Sequence, residues 1–441
     1  MIVRTARALA YGFLAGPWNE GSLVARGREV LDARPRWLRH LVRRVLRRFP
    51  ERPPGGPEPL LELLLGDERL RIAVSSPPYP RVRRWLAPEL AMIAVPGPPS
   101  TFAVPALATE GDLAAALGLT PPELAWFADG RRLNERTSKP ALLHYRYAWV
   151  SKTGGGFRLL EAPKPRLLAR QRWILRNVLE AIPPSPHAHG FVRGRDVRSF
   201  VRPHVGRAVV VRLDLQDFFA SVTRAGVAAI FRRVGYPRPV ADALANLCTA
   251  ATPLSVLDAH PRDGDLPRRF LVNAALRDRH LPQGAPTSPA LSNLVAWRMD
   301  TRLAGLAAGF GATMTRYADD LAFSGDETFA RALRFFLPRA GAIVLEEGFR
   351  VNHRKTRVMP RGHRQELCGI AIAERPSVPR RERDRLRAIL FNARRSGLES
   401  QNREGHGEFR RHLEGRVAWV RAVDPRTARR LGALPEEVVR A

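Results

Sequence analysis

The stretch Tyr317-Ala318-Asp319-Asp320 places two adjacent carboxylates between two short apolar runs. The pattern over residues 313–324 predicts two strands that flank a tight turn, with both Asp residues in the turn. Because Asp is a common turn residue, the pair alone is compatible with an ordinary turn as well as with a metal-binding hairpin. The rest of the sequence has to decide between these two interpretations.

A third carboxylate, Asp214, follows the β-branched run Val209-Val210-Val211-Arg212-Leu213. The apolar character of residues 207–215 predicts a buried strand with Asp214 at its end. Mg²⁺ prefers oxygen ligands, and a pair of divalent ions about 4 Å apart needs carboxylates that converge from separate strands. Asp214, Asp319 and Asp320 are therefore candidate metal ligands, and an ordinary turn at Asp319-Asp320 does not account for Asp214.

Four segments follow one another in the order of the palm motifs of reverse transcriptases, and each resembles its counterpart. They are Leu213-Asp214-Leu215-Gln216-Asp217-Phe218-Phe219, Leu281-Pro282-Gln283-Gly284-Ala285-Pro286-Thr287-Ser288-Pro289 with Asn293, Tyr317-Ala318-Asp319-Asp320, and Asn352 with Lys355-Thr356. One short motif is a weak signal, but four in the correct order are specific. The resemblance implies an α+β, right-hand polymerase fold with fingers, a palm of antiparallel sheet and helices, and a helical thumb.

The resemblance also implies an RNA-directed DNA polymerase that works with two Mg²⁺ ions, for which Mn²⁺ can substitute. Asp214 and Asp319 would hold the metals, Asp320 would assist, and the carbonyl of Leu215 would complete the shell. The expected partners are an RNA template and primer, the DNA product and deoxynucleoside triphosphates.

Two aromatic residues after Asp214 have different expected roles. Phe219, five residues further on, would clash with a ribose 2′-hydroxyl and act as a steric gate that favours deoxynucleotides. The alternative for Phe219 is a core position, but adjacent strand residues point to opposite faces, so Phe218 is expected to fill the core. Gln283 and Gly284 would let the backbone approach the incoming nucleotide and its template base.

Three cations are expected to contact the nucleotide. Lys152 and Arg158 flank a Gly-rich stretch that resembles a fingers hairpin over the triphosphate, with Lys as a point charge and Arg as a fork. Walker spacing, the other Gly-rich phosphate motif, is absent. Lys355 could neutralise or protonate the leaving pyrophosphate; a surface Lys is the alternative, and its place in Asn352-x-x-Lys355-Thr356 favours function.

Further segments resemble bacterial retron reverse transcriptases, and more the myxobacterial kind with a long N-terminal region than the enteric kind. They are residues 159–164 with 171–175, His189-Gly190-Phe191-Val192-Arg193-Gly194-Arg195, and a thumb-like region that contains Arg380, Arg383, Arg387 and Arg416, where the resemblance implies RNA binding. Two retron elements are altered. Residues 200–204 keep only His204 of Asn-Ala-x-x-His, and residues 367–369 keep only the glycine of Val-Thr-Gly; both elements are associated with recognition of the structured RNA.

A retron enzyme is implied to extend DNA from an internal guanosine 2′-hydroxyl of its own structured noncoding RNA. The product would be a branched RNA–DNA hybrid (msDNA), with a role in phage defence and an effector protein as partner. Two alternatives stay open. One is another prokaryotic reverse transcriptase, of the group II intron, diversity-generating or other defence type. The other is a non-catalytic nucleic-acid-binding protein on the same fold.

The composition points to a polyanionic partner, because 73 Lys and Arg exceed 42 Asp and Glu and give a formal charge of +31. Nucleic acid is the first candidate and an anionic membrane the second. Cys248 and Cys368 lie far apart without CxxC spacing, which argues against a disulfide framework or zinc site and fits a reducing cytosol. No stretch approaches a membrane span and the start does not resemble a signal peptide, so we expect a cytoplasmic protein without a membrane partner.

The chain is expected to contain three regions. Residues 1–135 form a basic, mostly helical N-terminal region, residues 136–360 the fingers and palm, and residues 361–441 an RNA-binding thumb. Residues 35–49 predict a basic amphipathic helix that either contacts phosphates or is a solvated surface helix. Two short helices around a Gly turn are expected over residues 110–128, and residues 251–279 read as a polar surface insertion.

Overall fold

The computed structural model describes residues 2–31, 33, 35–53, 57–77, 79–86, 102–137, 139–152, 155–262 and 265–431. The chain divides into two compact units. The first consists of Met1–Phe102, Ala106–Pro121 and Phe231–Ala243, and the second of Ala103–Pro105, Pro122–Ile230 and Leu244–Ala441. The division into three functional regions, with boundaries near residues 135 and 360, stays a prediction.

Helices build the first unit. Those that lie wholly within it are α1 (Ile2–Leu14), α2 (Glu20–Leu31), α3 (Trp37–Arg48), α4 (Glu58–Leu65), α5 (Glu68–Ser75) and α6 (Glu110–Ala116). The apolar sides of α1 to α5 meet in one core that includes Leu9, Phe13, Leu23, Leu41 and Leu64. The predicted amphipathic helix is confirmed as α3, which turns its apolar side toward this core.

The predicted pair of short helices over residues 110–128 is also present. A capping box of Thr109 and Asp112 begins α6, which satisfies backbone donors at the first turn. Gly118 then turns the chain with φ +61°, a left-handed conformation that glycine adopts at little cost. The next helix, α7, spans Pro121–Ala128.

The strands of the described residues are antiparallel. A hairpin joins β1 (Tyr145–Ser151) to β2 (Phe157–Pro163), and a four-stranded sheet has the order β4-β5-β3-β6, with β3 (Val209–Asp214), β4 (Thr313–Tyr317), β5 (Asp320–Gly325) and β6 (Arg357–Pro360). A small hairpin pairs β7 (Glu366–Leu367) with β8 (Ile370–Ala371). The central strand β3 buries Val209, Val210 and Val211, which confirms the predicted buried strand.

Further helices continue the chain to its described end. They are α8 (Pro165–Asn177), α9 (Val197–Val201), α10 (Arg224–Val234), α11 (Arg238–Cys248), α12 (Leu254–Asp258), α13 (Leu266–Arg277), α14 (Ser288–Val295), α15 (Trp297–Gly309), α16 (Glu327–Glu346), α17 (Arg380–Ser396), α18 (Phe409–Val423) and α19 (Pro425–Leu431). The mixture of helices with antiparallel strands confirms the α+β class. None of the described helices combines the length and apolar character that a membrane crossing requires.

Residues 251–279, expected to form a polar surface insertion, are mostly exposed or partly exposed, but they form more than a surface loop. This segment contains α12 and α13, and it buries Leu257 and Leu276 against Leu159 of β2. It therefore packs on the β1–β2 hairpin through part of its apolar side chains, while Leu266, Phe270 and Leu271 stay exposed.

The last helices share a core with the four-stranded sheet. Leu386 and Leu390 of α17 and Leu413 and Val417 of α18 belong to the same buried cluster as Val210 of β3. The helical pattern predicted after Val378 is confirmed as α17, which follows the β7–β8 hairpin.

Candidate active site at the end of the four-stranded sheet

Strand pairing brings the three predicted metal carboxylates to one end of the sheet. Asp214 is the last residue of β3 and pairs with Asp320, the first residue of β5. The turn between β4 and β5 contains Ala318 and Asp319, and Ala318 has φ +54°. The backbone N–H of Leu215 donates to the carbonyl of Asp319 at 2.8 Å, so Leu215 lies beside the turn as well.

The crowding of negative charge is visible at Asp319. Burial raises the pKa of this carboxyl, and the charges of Asp320 and Asp214 raise it further, while Lys355 opposes them. Carboxylates that repel one another in a buried place are stabilised when a cation lies between them. The site therefore favours positive charge at the point where Asp214 and Asp319 meet.

Asp214 is held by the segment after the sheet. Its side chain is almost fully buried, and it accepts hydrogen bonds from Asn352 Nδ2 and from Lys355 Nζ, each at 3.1 Å. The backbone N–H of Asn352 also donates to the carbonyl of Asp214 at 2.7 Å. The predicted motif of Asn352 and Lys355 is thus in direct contact with Asp214, the first of the three predicted metal carboxylates.

Asp320 has two protein partners of its own. Arg212 Nε donates to Asp320 Oδ1 at 2.7 Å, and Cys368 Sγ lies 3.5 Å from Asp320 Oδ2. Burial raises the pKa of the Cys368 thiol to about 12, and the charge of Asp320 adds to the effect, so the thiol stays protonated and can donate. Sequence reasoning missed both partners; the only signal was a cation, Arg212, inside an apolar strand.

These contacts bear on how the site fits divalent ions. Among the described residues, no three His, Cys, Asp or Glu side chains are arranged to surround a metal ion. Asp214 and Asp319 converge and supply the oxygen donors that hard cations prefer, whereas Asp320 is engaged by Arg212. Two carboxylates thus fit the metal, and Asp320 would join them only by exchanging Arg212 for it.

A buried ion pair between Arg316 and Asp300 stabilises the β4–β5 turn. Arg316 is completely buried and donates two hydrogen bonds to Asp300 of α15, at 2.6 and 2.7 Å. Its remaining nitrogen reaches Asn293 Oδ1 at 2.9 Å and the carbonyl of Ala318 at 3.1 Å. Because one guanidinium ties α14, α15 and the turn together, the position of Asp319 is set by contacts between protein groups.

The predicted retron-like segment around Gly190 packs directly on this turn. Asn293 Nδ2 donates to the carbonyl of Gly190 at 2.9 Å, and the N–H of His189 donates to the carbonyl of Arg316 at 2.7 Å. A Cβ at Gly190 would lie 2.6 Å from the backbone nitrogen of Ala318. Only glycine allows so close an approach.

Four cations converge near the carboxylates. Burial lowers the pKa of Lys152, the carboxylate of Asp217 at 3.8 Å opposes this effect, and the nearby charges of Arg268, Arg158 and Lys355 lower the pKa further. Three of these cations were predicted as nucleotide contacts. Arg268 was missed, because its helix α13 was taken for a surface insertion.

The segment that contains Gln283 is attached to the fingers strand β2 by a buried polar cluster. The N–H of Glu161 donates to the carbonyl of Gln283 at 2.9 Å, and a Cβ at Gly284 would lie 2.9 Å from the carbonyl of Glu161. His280 Nε2 lies 2.8 Å from Glu161 Oε2, and Thr252 donates to Glu161 Oε1 at 2.9 Å. The cluster positions the backbone predicted to face the incoming nucleotide.

The two aromatic residues after Asp214 differ in burial, as expected, although they lie in a turn and not in a strand. Phe218 is buried and stacks on Phe349, with centroids 5.5 Å apart, whereas Phe219 is partly exposed. The ring of Phe219 lies between Phe218, at 5.7 Å, and Phe191, at 6.1 Å. The gate role of Phe219 stays a prediction.

The predicted RNA-binding arginines lie on α17 and α18. Arg380 and Arg387 are exposed, and Arg380 lies 3.5 Å from Asp384. Arg383 is partly exposed, and Arg416 is paired with Glu382. Arg416 therefore joins the two helices, whereas Arg380 and Arg387 stay exposed.

The two altered retron elements occupy different environments. His204 is completely buried; its ring nitrogens lie 2.7 Å from Ser324 and 2.7 Å from Thr315, and burial lowers its pKa to about 3. His204 thus supports strands β4 and β5 as a neutral ring. Cys368 and Gly369 form the turn of the β7–β8 hairpin, both with positive φ, which suits a tight two-residue turn.

Comparisons with known proteins agree with this geometry. Residues 150–372 match the family described as reverse transcriptase (RNA-dependent DNA polymerase). The chain is 42% identical over 348 residues to the retron Mx65 reverse transcriptase of Myxococcus xanthus, covering 79% of this chain and 74% of that protein. It is 38% identical over 331 residues to the retron Mx162 reverse transcriptase of the same organism, covering 72% and 64%. A solved foamy viral protease-reverse transcriptase in complex with double-stranded DNA aligns over 65% of this chain and 45% of that chain, with TM-score 0.31 and 15% identity.

Proposed function

Because the chain belongs to the retron-type reverse transcriptases and is an RNA-directed DNA polymerase with the right-hand polymerase fold, we propose that it copies its own structured noncoding RNA. The product is a branched RNA–DNA hybrid with a role in phage defence. The observation that carries the synthetic part is the convergence of Asp214 and Asp319 at the end of the sheet, beside Lys355.

The reaction is nucleotidyl transfer assisted by divalent metal ions, which the reverse transcriptase family uses. We propose two Mg²⁺ ions held by the carboxylates of Asp214 and Asp319, with Asp320 and the carbonyl of Leu215 as further oxygen donors. Bound there, the ions supply activation of the attacking hydroxyl and charge neutralisation of the triphosphate. Asp320 stays oriented by Arg212 when it does not contact a metal.

The converging cations bind the triphosphate. Lys152 carries a lowered pKa and lies close to Arg158, Arg268 and Lys355, so four positive charges repel one another until an anion neutralises them. Lys355 also donates to Asp214, which supports a role for this lysine next to both the metal carboxylates and the triphosphate. It can neutralise the pyrophosphate as this group leaves, or protonate it.

Sugar and base are selected by two further groups. Phe219 closes the space beside the sugar, so that a 2′-hydroxyl clashes with its ring. The segment of Gln283 and Gly284 presents backbone to the nascent base pair, because the cluster of Glu161 and His280 fixes it against β2. The exposed arginines of α17, Arg380 and Arg387, bind RNA phosphates.

Primer extension tests the synthetic activity. The full chain, supplied with Mg²⁺, a primed RNA template and deoxynucleotides, should extend the primer, and Asp319→Asn should lower the rate by more than about a hundredfold. The matched control is Asp326→Asn, which changes a helix cap remote from the carboxylates on the same strand-to-helix segment. Absence of extension by the unsubstituted protein would refute the proposal.

The nucleic acid that purifies with the protein tests the product. Sequencing should recover one structured RNA joined to complementary DNA, and treatment with a 2′–5′ debranching enzyme should release the DNA. A linear product would refute the branched linkage while leaving the polymerase activity in place. For defence, phage should plate less efficiently on cells that carry the complete system than on cells with Asp319→Asn; equal plating would refute this role.

A further inference from the structure

The polar face of α3 is strongly basic. Its apolar side is buried in the helical core, and Arg39, His40, Arg43, Arg44, Arg47 and Arg48 are all exposed on the other side. The sequence left two interpretations open for this face, a phosphate-contacting surface or an ordinary solvated one. The shape of the surface and the partners of its arginines favour the phosphate-contacting interpretation.

The basic face lines a groove. One wall is α3, and the other is formed by Leu63 of α4 with Asp67, Glu68 and Arg69 at the start of α5. The groove has a volume of about 1110 Å³ and is open to solvent. A solvated face needs no opposite wall, whereas a concave site can surround an extended ligand on two sides.

The acidic residues of the groove are used to orient arginines. Glu20 lies 3.0 Å from Arg43, and Asp67 lies 3.0 Å from Arg44. Asp67 also caps α5 by accepting from the N–H of Leu70, so this carboxylate has a fixed place. These two ion pairs stiffen the middle of α3 and consume two of the three carboxylates that line the groove.

Three arginines of the groove remain without an acidic partner among the described residues. They are Arg47 and Arg48 at the end of α3 and Arg69 on the opposite wall, all exposed. Arg47 and Arg48 lie four residues after Arg43 and Arg44, a spacing at which like charges on a helix repel each other. An anion in the groove relieves this repulsion. Phosphate suits the site because one guanidinium can donate two parallel hydrogen bonds to two phosphate oxygens.

We propose that this groove binds the phosphate backbone of RNA, and we infer that the RNA is the one the polymerase copies; the second statement rests on the proposed function. A membrane is the weaker occupant because membrane-bound amphipathic helices insert their apolar face, and the apolar face of α3 is already buried in the core. A concave, arginine-lined site also fits a backbone that passes through it better than a flat bilayer surface.

Charge-matched variants of the full-length protein test the groove. The groove variant carries Arg47→Gln, Arg48→Gln and Arg69→Gln. The control variant carries Arg7→Gln, Arg28→Gln and Arg71→Gln, which removes the same charge from exposed arginines of the same unit outside the groove. The groove variant should bind the co-purifying RNA roughly tenfold or more weakly, and the slope of log affinity against log salt should fall by about two to three. In the control variant, the loss of RNA affinity and the change in salt slope should each be less than half of those in the groove variant.

Three outcomes would overturn the assignment. They are equal losses in the two variants, unchanged RNA affinity in the groove variant, and loss of binding to phosphatidylserine vesicles without loss of RNA binding. The single variant Arg69→Gln leaves α3 intact and should weaken RNA binding in the same direction, so the test holds even if the triple variant unfolds. Extension of a short primed template reports on the polymerase separately: its absence in the unsubstituted protein defeats the proposed function, whereas the affinity comparison alone decides the groove.

Discussion

Phe191 combines two properties that seldom occur together in a bulky residue. Its side chain is 52% exposed, and its φ is +61°, in the region where side chains other than glycine are strained. Its neighbour Gly190 packs on the β4–β5 turn, and the ring of Phe191 lies beside Phe219. Strain of this kind persists where surrounding contacts impose it, so the ring of Phe191 is well placed to support Phe219 in its proposed role as a gate.

Substitution of the gate should change sugar selection. Phe219→Ala removes the ring that we propose meets the 2′-hydroxyl, so incorporation of ribonucleotides relative to deoxynucleotides should rise by roughly tenfold or more. Phe191→Ala should act in the same direction and less strongly, because it removes only the support. The double variant should resemble Phe219→Ala, since support for an absent ring has no effect.

Single-nucleotide incorporation with matched ribo- and deoxyribonucleotides measures this selection. The control is Phe335→Ala, which removes a phenylalanine of nearly equal exposure, 51%, from α16. Additive effects of Phe191→Ala and Phe219→Ala would contradict the supporting role. Unchanged selection in Phe219→Ala would contradict the gate itself.

His280 should make stability depend on pH. Burial lowers the pKa of His280, but the charge and hydrogen bond of Glu161 outweigh burial, so the pKa lies above its ordinary value of 6.5. A base whose pKa is raised by folding contributes stability that is complete below the unfolded pKa and is lost as pH rises through the folded pKa. The free energy of unfolding should therefore fall as pH rises above about 6.5.

Chemical unfolding of wild type and His280→Gln at constant ionic strength, from about pH 6 to about pH 9, measures this contribution. The variant should be less stable at the acidic end, by about 3 kcal/mol, and the difference should shrink as pH rises. The wild type has to be compared with the variant because other histidines also make stability depend on pH. Burial lowers the pKa of His204 and His189, so their contributions to the free energy of unfolding decline as pH falls. A difference that is constant with pH would contradict a charged His280.

Individual site residues were predictable to the extent that their partners are close in sequence or belong to an ordered set of motifs. Asp214, Asp319 and Lys355 were found in this way, and the structure brings them together. Arg316 and Arg212 were not, because an arginine in an apolar strand gives no sign of the distant carboxylate that it meets. Their partners depend on strand register and helix packing, which only the folded chain defines.

At the scale of elements, the contact between the Gly190 segment and the β4–β5 turn is too close to accept a larger side chain at residue 190. In Gly190→Ala the new methyl group would meet backbone atoms of Ala318 and Tyr317, which cannot move aside as a flexible side chain does. The turn must shift, so polymerase activity should fall by about a hundredfold, since misplacement of reacting groups by about 1 Å has such an effect. Primer extension measures this loss.

The matched control for this substitution is Gly305→Ala in α15, where a methyl group would meet nothing within 4 Å. Alanine there should leave activity unchanged and slightly raise stability, because alanine favours helix over glycine. Normal activity of Gly190→Ala, or an equal loss in both variants, would show that the close approach does not position the turn.

Elements with strong periodicity were predicted correctly. The β-branched run became β3, and the apolar spacing of residues 35–49 became α3. The segment of residues 251–279 was predicted only in part because α13 leaves Leu266, Phe270 and Leu271 exposed and buries Leu276, so its pattern resembles neither a solvated loop nor an ordinary amphipathic helix. Its packing on β1 and β2 depends on contacts distant in sequence.

For the whole molecule, the excess of cations determines how the protein responds to salt. A net charge of +31 implies release of many counterions when RNA binds. Affinity for RNA should fall by about a hundredfold or more between about 50 and about 200 mM salt, with a linear relation between log affinity and log salt. Filter binding measures it. A weak salt dependence would contradict a predominantly phosphate-directed interaction.

Catalysis after binding should respond differently. At saturating RNA and nucleotide, the rate of a single addition depends on the arrangement around Asp214 and Asp319, where the charges are buried and poorly screened. The addition rate should thus change much less with salt than the affinity does. Similar salt dependence of the two quantities would indicate that binding still limits the measured rate.

The buried pair of Arg316 and Asp300 has a consequence for how the reaction can be observed. The pair orders the β4–β5 turn through protein contacts alone, so little conformational entropy remains to be lost when divalent ions enter. Protein stripped by a chelator should keep its melting temperature and still assemble with RNA, primer and nucleotide. Addition of the cation then starts every assembled molecule at the same instant, which provides a defined time zero for following the growth of the DNA strand.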